Sequence, residues 1–114
     1  MIVRQKQTDA LTTKPSQSNK NMTALLTTAD GQQACATGIV DTPTNDGYVT
    51  VEVNGVTQVL GDAVKTKDCY FSSDAGVTAK SINNIASGDM LYWNGSLAGF
   101  QLAITDKVDF HYNI

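Results

Sequence analysis

The stretch Tyr48-Val49-Thr50-Val51-Glu52-Val53-Asn54-Gly55-Val56-Thr57-Gln58-Val59-Leu60 decides the fold class. Its first half alternates, with Val49, Val51 and Val53 on one face and Tyr48, Thr50 and Glu52 on the other, the period of a half-buried strand. Asn54-Gly55 then supplies the two residues that tolerate positive φ in a type I′ turn. A two-residue loop pairs Val53 with Val56 and Val49 with Leu60. It also sets polar Gln58 opposite Val51, an irregularity that a bulge would remove.

Similar punctuation recurs on both sides of this hairpin. Asp30-Gly31, Asn45-Asp46-Gly47, Gly61-Asp62, Asp74-Ala75-Gly76, Gly88-Asp89 and Asn94-Gly95 separate short runs rich in Val, Thr and aromatic residues. That rhythm predicts an all-β body of antiparallel hairpins, a small β-sandwich or a barrel-like form of it. Glu52 is the sole glutamate, so the chain lacks the residues from which long helices are usually built. A second hairpin is predicted over Met90–Phe100, turning at Asn94-Gly95. Both faces of its first arm are apolar, which requires either a central strand or cover from another subunit. Val108, Phe110, Tyr112 and Ile114 alternate with Lys107, Asp109, His111 and Asn113, giving a last strand with one wet face. Only Ser81–Ser87 suits a helical turn, with Ile82 and Ile85 covering one end of the core.

The 114 residues fit a single domain, and they divide by texture into an extended arm, residues 1–20, and the β body, residues 21–114. The arm carries Arg4, Lys6, Lys14 and Lys20 against Asp9, a net of +3. The body carries four lysines against ten acids, a net of -6. A basic arm on an acidic body suits docking on an acidic surface, a neighbouring copy included, or else a solvated terminus. The arm has no aromatic residue and no dense arginine run, so nucleic acid is not expected as a partner. Neither a signal peptide nor an apolar run of about 18 residues is present, so no membrane contact is expected. Cys35 and Cys69 are then expected as two buried reduced thiols, with a single disulfide as the alternative.

Catalytic constellations are sparse. The one histidine, His111, falls on the polar face of the last strand beside Asp109 and Lys107, where a surface role is expected. No Cys/His cluster, P-loop or G-x-G-x-x-G occurs, and Gly95-Ser96-Leu97-Ala98-Gly99 has its serine one place off a nucleophile elbow. Asp106 with Asp109, or Asp41 with Asp46, could supply oxygens to Ca²⁺, but the EF-hand spacing is absent and turn-capping is the expected role. We therefore expect no enzyme activity, no cofactor and no metal. Tyr70, Phe71, Tyr92, Trp93 and Phe100 suit either a carbohydrate-binding face or, as favoured here, a core and a subunit interface.

From about Met22 onward the chain resembles a small β-module of tailed-bacteriophage virion proteins, of the capsid decoration or tail-fibre type. The resemblance rests on Tyr48–Gly55, on Lys67-Asp68-Cys69-Tyr70-Phe71-Ser72, on Gly88–Ser96 and on Thr105-Asp106-Lys107-Val108-Asp109-Phe110. It implies a structural role in a virion assembled in the host cytoplasm, with no catalytic residue. A short chain with a tethering arm suits a decoration protein on the assembled head more than a tail fibre, neck or receptor-binding module. The expected partners are further copies, as a trimer, and other virion proteins such as the major capsid protein. Arg4, Lys6, Lys14, Lys20, Tyr92, Trp93 and Phe100 are the expected interface residues.

Overall fold

A computed structural model describes residues 17–114 of the chain. Its regular secondary structure is almost entirely antiparallel β, in two sheets. One sheet has four strands in the order β1 (Gln17–Thr23), β7 (Lys107–Asn113), β3 (Val49–Val53) and β4 (Val56–Gln58). The other has three, β2 (Gln32–Gln33), β6 (Met90–Trp93) and β5 (Cys69–Ser72).

Alternation in the sequence decides which side chains meet between the sheets. Val49, Val51 and Val53 of β3 and Val108, Phe110 and Tyr112 of β7 point inward. Cys69 and Phe71 of β5 and Leu91 and Trp93 of β6 face them. Phe71 and Phe110 meet edge to face across the gap, with ring centroids 5.5 Å apart, a favoured aromatic geometry. Ile85 closes one end of this core and follows a 3₁₀ turn at Ile82–Asn84, in the segment read as a helical turn.

The sheets are also joined at two corners. Ala24, just past β1, bridges to Cys35, just past β2; Leu60, just past β4, bridges to Cys69 at the head of β5. Strand pairing therefore continues from one sheet into the other on both sides, which makes the sandwich barrel-like. Closure of this kind shields backbone groups that sheet edges would otherwise expose.

The first hairpin has the expected turn and register, Val53 opposite Val56 and Val51 opposite Gln58. Asn54 and Gly55 both have positive φ, 52° and 82°. No bulge forms. Gln58 stays buried and its Nε2 donates to the Val56 carbonyl at 3.0 Å. Val49 does not reach Leu60, because the chain leaves β3 after Gln58: Val59 N–H donates to Asp68 Oδ2 and Leu60 turns to Cys69.

The second expected hairpin does not form. After Trp93 the chain enters a one-turn helix, α1 (Gly95–Ala98), ended by Gly99 in the left-handed region. The reason is that β6 is the central strand of its sheet. Both of its edges are taken, by β2 and β5, so no returning strand can pair there. Asn94 holds φ −115° and is not a turn residue. Its side chain is instead a buried hub, accepting from Gly31 N–H at 2.9 Å and donating to the carbonyls of Lys65 and Lys67 at 2.7 and 2.8 Å.

Strand β1 begins at Gln17, so the last four residues of the segment read as an arm, Lys20 among them, lie in the sheet, paired with Phe110–Asn113. The remainder of that segment, with Arg4, Lys6 and Lys14, lies outside the described residues.

Gly55 has open space where a Cβ would stand, so its substitution tests backbone conformation alone. Gly55→Ala is expected to cost about 1–2 kcal/mol, the strain of a left-handed residue with a Cβ. Urea unfolding that shows no loss would mean that the turn relaxes to another type.

Candidate functional site

The aromatic residues expected at an interface are divided by the fold. Trp93 is fully buried, its indole N–H donating to the Phe100 carbonyl at 3.0 Å and its ring lying 5.3 Å from that of Phe100. Tyr92 is also buried, on the opposite face of β6, where it stacks on its cross-strand partner Tyr70 at 5.7 Å. The cover comes from the same chain. The loop after β5 folds back over both tyrosines, Tyr70 Oη donates to the Gly76 carbonyl, and Ala79 packs beside them. A Cβ on Gly76 would lie 2.8 Å from the Tyr92 ring, and its φ of +85° suits glycine alone. The two apolar faces of Met90–Trp93 are thus satisfied within one subunit, which corrects the expectation that Tyr92 and Trp93 form an interface. Of the three, Phe100 is the one that reaches solvent, at 40 % exposure.

That loop is held by Asp74. Its Oδ1 accepts from Ser72 Oγ at 2.6 Å and from Thr78 N–H at 2.9 Å, while Ser72 Oγ accepts from the Asp74 and Gly76 N–H groups. Hydrogen bonds to the charged form, that from Ser72 foremost, lower the Asp74 pKa to about 2. Other aspartates do similar work. Asp30 accepts from Ser96, Asp46 from Asn113 and Tyr48, and Asp106 from Ala103 and Asn54, and each is lowered from the ordinary aspartate value for that reason. Turn-capping is therefore what Asp46 and Asp106 do.

Both cysteines are free and buried, at the two corner bridges. Burial pushes the Cys35 thiol up to about 12 and the Cys69 thiol higher, with Asp68 adding to the latter. Both are thus uncharged at neutral pH and unsuited to nucleophilic work. No cavity opens among the described residues, and no helix among them is long and apolar enough to cross a membrane.

The outer face of the four-stranded sheet is polar and carries one convergent group. Glu52 on β3 is the direct cross-strand partner of Asp109 on β7, and His111 lies two residues further along β7 on the same face. One ligand-type atom from each of the three lies within 4.8 Å of the others. His111 Nε2 stands 3.7 Å from Glu52 Oε1. All three side chains are half-buried. Placement of His111 beside Asp109 follows from alternation, whereas adding Glu52 requires the register between β3 and β7.

Two further surfaces bear on binding. Strand β1 is an edge strand, and among the described residues its backbone from Gln17 to Thr23 pairs with β7 alone. Its Lys20 is half-buried on the inward side, cross-strand from Phe110, an arrangement that discourages indiscriminate edge-to-edge pairing. Large apolar side chains also stand exposed, notably Leu26, Val56, Val77, Leu97 and Ile104.

No family model, no curated protein and no solved structure matches the chain.

Two outcomes follow from this geometry. Trp93→Ala should cost about 3–5 kcal/mol of stability, the usual range for removing a buried aromatic side chain, with Phe100→Ala well below that range; denaturant unfolding of both variants checks the order. For Asp74 the folded pKa lies below the ordinary 3.8. A depressed carboxylate contributes stability that is present above the ordinary value and lost as pH falls towards about 2. Asp74→Asn should therefore be less stable than the native chain at neutral pH, with the gap closing as pH falls through that window in thermal unfolding.

Proposed function

We propose that the protein is a structural component of a tailed-phage virion, most specifically a capsid decoration protein that binds the assembled head. On this reading it has no catalytic role and no cofactor. It is made in the host cytoplasm, carried in the virion, and associates with further copies of itself, as a trimer, and with the major capsid protein.

The observation that carries the proposal is the way the basic segment joins the body. Residues 1–16 hold Arg4, Lys6 and Lys14 against Asp9, a net of +2, and run directly into the edge strand β1. Residues 17–114 hold five lysines against ten acids, a net of -5. A charged segment leading into a strand edge that is unpaired among the described residues suits attachment by strand addition, in which backbone hydrogen bonds provide affinity and side chains set the register. Opposite charge on the body favours contact with a neighbouring copy and speeds encounter. Exposed Leu26, Val56, Leu97, Phe100 and Ile104 offer apolar area for such contacts.

Quantitative mass spectrometry of purified particles tests the assignment. A decoration protein is expected on the order of hundreds of copies per virion, as closed symmetry around many equivalent lattice points demands. A count of about a dozen or fewer would place it in the neck, a tail fibre or a receptor-binding module instead. Deleting residues 1–16 should leave the body folded and weaken head binding by about tenfold or more. Unchanged binding in a particle pull-down would remove the tethering role.

A further inference from the structure

Glu52 and Asp109 stand directly opposite on adjacent strands. Like charges in that position repel and destabilise the pair. Among the described residues neither forms an ion pair with a lysine, and the imidazole Nε2 of His111 stands 3.7 Å from Glu52 Oε1. A cation between the three groups would convert the repulsion into attraction.

The donor arrangement suits a cation as well as the charge does. Two residues spaced by two on β7 and one partner on β3 put three side chains at the corners of a triangle on one sheet face. Their ligand atoms already lie within 4.8 Å of one another. A first-row ion with metal–ligand bonds of about 2.0–2.2 Å holds its ligand atoms roughly 3–4 Å apart, so small rotations of the half-buried side chains complete the contact. The backbone needs no movement, because all three side chains are rooted in hydrogen-bonded strands.

We propose that Glu52, Asp109 and His111 form a three-ligand site for one divalent first-row transition ion, with Zn²⁺ as the representative ion and water in the remaining position. The imidazole nitrogen decides the class of ion. Nitrogen with two carboxylate oxygens suits zinc and its neighbours, whereas Ca²⁺ and Mg²⁺ prefer oxygen throughout. Asn19, opposite His111, and Asn21, opposite Asp109, stand on the same face and supply amide groups around the site. The site was not expected from sequence because a lone histidine forms no recognisable ligand spacing along the chain.

His111 is the only histidine, so its ring gives a single, unambiguous set of NMR signals in the full chain. Titrating Zn²⁺ into chelator-treated protein should shift those signals saturably, with one ion bound per chain and half-saturation below about 1 mM. Glu52→Gln and Asp109→Asn each remove a like-charge repulsion and should stay folded by circular dichroism. Each should weaken Zn²⁺ binding by at least the roughly tenfold that loss of even an outer partner of a metal ligand costs, while Asp41→Asn leaves it unchanged. Ca²⁺ at the same concentration should leave the ring signals in place. The proposal is overturned by signals that do not move, by binding that survives both carboxylate substitutions, or by equal loss in Asp41→Asn.

Discussion

The rest of the structure depends on a single shared layer of side chains between two sheets that are also joined at their corners. Phe71 against Phe110 marks the middle of that layer, with Val51, Val108, Leu91 and Trp93 around it. A small chain has little interior to bury, so most inward positions of β3, β5, β6 and β7 are given to large apolar groups. The corner bridges at Cys35 and Cys69 place small buried residues where two backbones converge. Their thiols serve as compact apolar groups, consistent with the raised pKa values that burial imposes.

Around this layer, polar side chains do the work that regular secondary structure does in larger proteins. With strands as short as two residues, many backbone groups need partners elsewhere. Asn94 holds three separate segments together, Asp74 closes the loop that covers Tyr70 and Tyr92, and Asp89 joins Lys80 at 2.9 Å while accepting from Ala86 N–H. The abundance of Asn, Asp, Ser and Thr is thus a structural requirement of a loop-rich fold. Its acidity is a by-product of capping so many turns, and it also leaves the body opposite in charge to the segment that precedes it.

The surface left over has three characters. One is the outer edge of β1, unpaired among the described residues, another the scattered exposed aliphatic side chains, and the third the polar face bearing Glu52, Asp109 and His111. The third is a separate chemical feature on the opposite side of the sheet from the core. Among the described residues β1 pairs on one side only, and its inward-facing Lys20 discourages indiscriminate edge-to-edge pairing there.

Period-two alternation alone determined the strands β3 and β7, their inward faces and the turn at Asn54-Gly55, because each of these is a local property of neighbouring residues. It also placed His111 and Asp109 on one face. Tertiary structure decided what alternation cannot carry. Met90–Trp93 is apolar on both faces, and the sequence left open whether a neighbouring subunit or its own chain covered it; the loop through Gly76 provides the cover. Asn94-Gly95 has the residues of a hairpin turn, yet both edges of β6 were already occupied, so the chain turned into α1 instead. Glu52 met His111 only because the register between β3 and β7 brought two distant segments together. Pairing partners are set by competition among strands for a limited number of edges, and that competition is not encoded in any one segment.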